Sequence, residues 1–501
     1  MSTQSSSIAK PDFPDWLSPM LVKELRQGLR SRVFLALFIA LQVAMIFPAV
    51  FGLLDAASGE QNESATVFFW LFVTVPLMIA MPASGLSTIG VEKQSNTLEP
   101  IFLTRLTARR ILLGKWVAIV GQTLLVVAAI LPYSVLRYYL GNVNLVSELE
   151  VLGVLFAVSA LLTAVAVGLS PMVGRLGRIL FPIIGVIALF IGAQILFQPW
   201  SMFGVMRGGG PGPLWPTYLA LALLGALLAA LMLEAGAGKI APAAENHATP
   251  KRWLALAIVG VALFYSDWPG DHEWVWGPVI FVVVVASIGA LCEPIPQIVR
   301  IYQPFLRWGF PGRALGRFFY PGWPAGFLFA LAVCGLTIAH LHQRIAGALP
   351  ARLDLQELTC LRINEAASIG ALLLPMALYR LAGLKKTPAV AFYFGIQGIF
   401  ALVSLVGSLH FGATEKPTGF EAFVACFPTC ALCYSGLIPS WTLSQQEAIL
   451  IGNSVVTAAV LLILAVKSWP AWRAIAKLEK IAARIPVAAA SPDVVRPLAT
   501  D

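Results

Sequence analysis

The chain has 501 residues, 58% of them hydrophobic and 12% charged, with a mean hydropathy of +0.81 and a formal net charge of +9. Soluble domains carry about 25% charged residues, so this composition excludes a soluble globular fold and predicts an all-α, polytopic membrane bundle. The basic excess follows the loops between apolar segments, which points to membrane orientation and anionic lipid and away from nucleic acid.

The N-terminal stretch MSTQSSSIAKPDFPDW lacks a basic region followed at once by a short apolar core, so no cleavable signal is expected. In the following SPMLVKELRQGLRSR, Leu21, Leu25 and Leu29 recur every four residues, while Lys23, Glu24, Arg26, Gln27 and Arg30 take other faces. That period predicts an amphipathic helix at the membrane surface within a cytoplasmic tail, 1–32.

A helix crosses the hydrocarbon with about 20 mainly apolar residues, and about twelve such segments are expected. They centre near Gln42, Val75, Leu125, Ser159, Leu189 and Leu224, then near Ile258, Val284, Leu331, Leu373, Ser404 and Thr457. With both termini in the cytoplasm, all of the 34 basic residues fall inside except Arg137, Arg207, Arg344, Arg352, Arg362 and Lys416. Asp55 to Ala65, acidic and free of Lys and Arg, is then an outside turn. Pro76, Pro82 and Pro132 are expected to bend or break the second and third spans. Gln198 to Pro216, with Gly208-Gly209-Gly210 and Pro211, predicts an outer loop or re-entrant piece.

Residues 33–236 form a first six-helix unit, 237–252 a cytoplasmic linker rich in Ala, Gly and Pro, and 253–470 a second bundle. Within the second bundle, 293–321 reads as an amphipathic interfacial segment carrying Arg300 and Arg307 away from Ile298, Ile301, Tyr302 and Phe305. Phe420 to Trp441 is long enough to span, but a further span would leave the basic tail, 471–501, outside, so a re-entrant or interfacial element is expected there.

Chemistry at membrane depth is sparse. Gly238-Lys239 and Gly114-Lys115 lack the spacing of a phosphate-binding loop, so the chain carries no nucleotide site of that kind and is not expected to be an enzyme. Cys426, Cys430 and Cys433 would share a helix face, where packing is favoured over metal binding or a disulfide with Cys360, and no metal site is expected. His340 and His342 read as interfacial histidines pointing apart, and Asp271-His272-Glu273 as a solvated outer turn. Glu234 and Glu365 are the clearest acids near the spans, both close to span ends.

The most informative segment is VEKQSNTLEPIFLTRLTARRILLGK, 91–115, polar and net basic between two apolar stretches. Its Glu92, Thr97-Leu98-Glu99, Thr107, Arg109, Arg110 and Leu113-Gly114-Lys115 resemble the cytoplasmic loop of ABC transporter permeases of the type-2 exporter class. The amphipathic helix before the first span is a second likeness, in the right order. Leu106, where that family often has Pro, and Ser95-Asn96, where it often has a Gly-rich step, depart from the pattern. The resemblance implies a permease in the cell (inner) membrane whose partner is a separate cytoplasmic ATPase subunit holding ATP and Mg. It further implies that Glu92, Glu99, Arg105, Arg109 and Arg110 make polar contacts to that subunit while Leu98, Ile101 and Leu103 pack apolarly. The second half could complete the transporter, or a second permease chain could; the sequence leaves both open. The alternative is an ion-coupled secondary transporter, against which the scarcity of mid-membrane acids argues; a membrane-embedded transferase or protease would need His, Asp and Glu grouped at one depth.

Overall fold

The structure is a computed structural model, and it describes residues 19–58, 64–94, 106–140, 144–172, 215–242, 245–266, 276–348, 354–384, 387–414 and 419–484. All regular structure among the described residues is helical, as the composition requires. Nine helices among them are long and apolar enough to cross a membrane, so the chain is a multi-pass membrane protein. The described residues divide into two compact units, one up to Pro242 and one after it.

In the first unit, α1 (Pro19–Leu29) precedes α2 (Arg32–Ser58). The second span is built of α3 (Ser64–Val75), a π-helical turn at Pro76–Ala80, and α4 (Met81–Gln94). Next come α5 (Ala108–Tyr139), α6 (Leu145–Leu169) and α7 (Trp215–Ile240). The expected span near Leu189 and the loop 198–214 lie outside the described residues. Proline has no N–H and its ring crowds the preceding turn, so at Pro76 the helix widens into a π turn. The loosened backbone finds partners on α6: the Ser159 hydroxyl donates to the Leu77 carbonyl, and the Ser170 hydroxyl accepts from the Ile89 N–H at 2.9 Å. Pro132, expected to bend or break its span, lies inside the single helix α5. The core joins Met45, Phe69, Val73 and Leu77 to Leu112, Val126 and Ile130.

Helices α6 and α7 cross through glycine. A methyl placed on Gly168 would sit 2.3 Å from the Met232 carbonyl oxygen, and one on Gly236 would sit 2.5 Å from the Gly168 carbonyl oxygen. Small residues let membrane helices approach until dispersion and backbone contacts hold them. Gly168→Ala is therefore expected to destabilise by about 1–3 kcal/mol through overpacking, although Ala is the better helix former by about 1 kcal/mol. A methyl on Gly225 of α7 would have nothing within 4 Å, and Gly225→Ala should keep that helix-propensity gain. Paired thermal-unfolding curves of the two variants in detergent check the contrast.

The second unit holds α8 (Ala248–Ser266), α9 (Trp276–Leu291), α10 (Gln303–Leu306), α11 (Gly309–Phe319), α12 (Trp323–Ala348), α13 (Leu355–Leu381) and α14 (Ala389–Thr414). Then α15 (Gly419–Val424) and α16 (Pro428–Cys433) lead to α17 (Leu443–Arg484). The seventh and eighth expected spans correspond to α8 and α9, of 19 and 16 residues, the latter about 24 Å long. Asp354 and Glu357 form a capping box that starts α13, which packs along α17 in the centre of the unit. The stretch 420–441 is broken into short helices at Pro428 and Ile438, so it does not form one continuous span. Its irregular backbone is satisfied by neighbours: Asn453 donates to the Ala425 carbonyl and Gln446 to those of Ile438 and Trp441.

Candidate functional site

The amphipathic period of 19–29 does produce a helix, and α1 lies against α5. Leu25 reaches within 3.3 Å of a methyl position on Gly121, and Gly28 leaves room for Gln122, whose amide would collide with a side chain there. This partly covers one side of α1 and leaves Lys23, Arg26, Gln27 and Arg30 exposed on the other. Glu24, between the two faces, points to α5.

There the helix ends converge on one cation. Lys115, only 4% exposed, places Nζ 2.8 Å from a Glu92 carboxylate oxygen at the end of α4 and 3.2 Å from one of Glu24 on α1. Both glutamates are themselves largely covered, at 15% and 14%. A buried ammonium needs its donors used and its charge matched, and two flanking carboxylates supply both. Lys115 is thus turned inward, tying α1, α4 and α5, and the polar contact it makes is internal.

Arg109 and Arg110, at the start of α5, are exposed. Arg109 also has its guanidinium 3.6 Å from Glu234, whose side chain is 4% exposed on α7. Glu234, expected at a span end within reach of water, is instead covered and paired. With Arg109 60% exposed, this pair is screened and contributes little to stability. Gly114 is partly covered in the second turn of α5. Thr97, Leu98, Glu99, Ile101, Leu103 and Arg105 lie outside the described residues.

A second ionic cluster went unread in the sequence, where Arg137 registered as one of the few basic residues outside. It lies near the end of α5 and donates to the carboxylate of Glu148 on α6 and, at 2.8 Å, to the Thr66 hydroxyl on α3. Its guanidinium also lies 4.3 Å over the Phe69 ring. From Lys115 to Arg137 the helix rises about 33 Å, close to the roughly 30 Å thickness of the hydrocarbon. The two clusters therefore mark the opposite boundaries of the first unit. The available signal was local: Arg137 and Glu148 are eleven residues apart, near the facing ends of two consecutive helices, the second capped by Asn144.

In the second unit the polar groups are dispersed. His340 and His342 do point apart, but each has a protein partner: Ser266 at 2.8 Å and Glu365 at 2.6 Å. Glu365 lies ten residues into α13 and His410 on α14 meets the buried Glu421 at 2.6 Å. Cys426 falls in the turn before α16, with Cys430 buried and Cys433 exposed on α16, so the three cysteines do not share one face. Asp271-His272-Glu273 lies outside the described residues.

The chain matches no protein-family model, no curated protein and no solved structure.

Proposed function

We propose that the chain is the membrane-spanning permease subunit of an ATP-driven transporter, with ATP hydrolysed by a separate cytoplasmic subunit that docks on 91–115. The observation that carries this reading is the Glu24–Lys115–Glu92 tie, taken together with the resemblance of 91–115 to type-2 exporter permeases. A docked partner that displaced this segment would pull directly on the end of α4 and the start of α5. Through Lys115 the same displacement would reach α1. Movement at one boundary is then conveyed by α5, a single helix, toward the Arg137 cluster at the other. The reading includes about twelve spans, with α8 and α9 as short ones, both termini in the cytoplasm, and outward transport across the cell (inner) membrane.

Docking is tested by co-expressing the chain with a candidate ATPase subunit and purifying by a tag on the permease. Wild type is expected to retain the ATPase, and Glu99→Arg combined with Arg109→Glu to retain at least about tenfold less, the loss of a few charge-assisted contacts. Because Arg109 also faces Glu234, Glu99→Arg alone serves as the second variant. Full retention by both variants sinks the docking role, and failure of wild type to retain any ATPase removes the reading.

One observation favours ion coupling instead. His342 with Glu365 and His410 with Glu421 place imidazole and carboxylate together in an apolar bundle, the kind of pair that proton-coupled carriers use. Collapse of transport by an ionophore, with ATP still present, would select that alternative.

A further inference from the structure

Between α9 and α12 the chain forms an elbow that is rigid inside and unusual outside. Gly309 and Gly322, at φ 63° and 120°, turn the backbone at either end of α11 where a side chain would be strained. The helix lies glycine side down: a methyl on Gly312 would be 2.0 Å from the Phe305 carbonyl oxygen, and one on Gly316 would be 2.4 Å from the Tyr320 ring. Arg252 of α8, fully buried, closes its end by donating to the carbonyls of Phe318 and Tyr320 at 2.7 Å and to Glu293 at 2.8 Å. Beneath, Tyr302 and Tyr320 pack edge to face, and burial beside the Glu479 carboxylate pushes the Tyr302 phenol up to about 12.

The outer side of this helix, with Arg307 and Trp308 just before it, exposes large apolar and cationic side chains together. Phe310 is 85% and Trp308 69% exposed, Phe318 lies beside them on the surface, and Arg307, Arg313 and Arg317 are exposed among them. From Pro294 to Pro350 the sequence contains no acidic residue. Water is a poor medium for such aromatics, and nothing within the segment neutralises the arginines.

The elbow's height relative to the membrane follows from α17. Leu464 lies in the apolar core with α12 and α13, whereas Ile475 and Ala482 of the same helix pack with Tyr302 and Tyr320. Ile475 is about 16 Å beyond Leu464, past Lys467, where the helix changes from apolar to charged. The elbow thus lies where α17 leaves the hydrocarbon, and α11 is followed at once by Trp323 and the span of α12.

We propose that α11 is a docking surface for anionic phospholipid of the membrane that holds the chain. Trp308, Phe310 and Phe318 enter the boundary between headgroups and acyl chains, and Arg307, Arg313 and Arg317 bind lipid phosphates. Guanidinium groups pair with phosphate oxygens through two parallel N–H donors, and aromatic rings are enriched at that depth. An acidic protein would satisfy the arginines but would need a groove for the aromatics, whereas lipid takes both from a convex helix. The inference does not depend on what drives transport.

The test places p-benzoylphenylalanine at position 310 of the full-length chain, reconstituted with equal phosphatidylglycerol and phosphatidylcholine, and identifies the photo-adducts by mass. Phospholipid adducts enriched in phosphatidylglycerol by at least about threefold are expected. Arg307→Gln, Arg313→Gln and Arg317→Gln together should return the ratio to that of the bulk lipid. Should the triple variant fail to insert, Arg313→Gln alone is expected to lower the enrichment measurably. Adducts at the bulk ratio in the parent chain, or none at all, overturn the proposal. So does a protein adduct at this position when the same chain is irradiated in cell membranes.

Discussion

Lys115→Met is expected to be one of the two most damaging single substitutions in the first unit, costing about 3–5 kcal/mol. The methionine fills the space but leaves Glu24 and Glu92 facing one another, largely covered and without the ammonium between them. Two like charges in a partly dry site repel, and each has lost a charge-assisted hydrogen bond. The weakest element responds first, and that is α1, a helix of 11 residues that is too short to be stable alone. Its amide hydrogens should exchange at the rate of an open helix in Lys115→Met, while those of α5 and α6 stay protected. Lys115→Arg, which keeps the charge, should preserve most of the protection. If α1 remains as protected in Lys115→Met as in wild type, the tie holds nothing, and the route by which 91–115 moves α1 loses its physical basis. In the proposed transporter, ATPase activity in the complex should persist while transport falls, because hydrolysis is uncoupled from the bundle.

The architecture was legible where hydrophobic length decides the matter. Leu21, Leu25 and Leu29 announce α1, and nine of the expected spans correspond to helices long and apolar enough to cross a membrane among the described residues, because a run of apolar side chains has no other stable home. Partnering was less legible. Lys115 reads in the sequence as a basic residue of a polar loop, and its burial depends on two acids separated from it in sequence but gathered by helix packing. Glu234 reads as a span-end acid for the same reason, since Arg109 is on another helix. At Pro132 the break did not occur: a membrane helix can accept proline, so the residue type alone did not fix an interruption of α5.

Arg137 and Glu148 supply the other large expected effect, and here the sign depends on how many partners are changed. Arg137→Met alone leaves the Glu148 carboxylate buried between α5 and α6 and removes the donor from Thr66; a cost of about 3–5 kcal/mol is expected. Glu148→Leu alone strands the guanidinium, partly relieved by the Phe69 face 4.3 Å away, and should cost somewhat less. The double variant removes both charges together. Its expected stability is within about 1 kcal/mol of wild type, because a buried ion pair gains little over well-packed apolar groups once both desolvation penalties disappear. A thermal double-mutant cycle in detergent measures this, and simple additivity of the two single costs would refute the pairing. The comparison also separates stability from action. If the pair merely holds α3, α5 and α6 together, the apolar double variant should transport as wild type does. If closing the far boundary of the bundle requires a contact that can break and reform against water, the double variant should be stable and yet inactive, since methionine and leucine offer no polar state to open into.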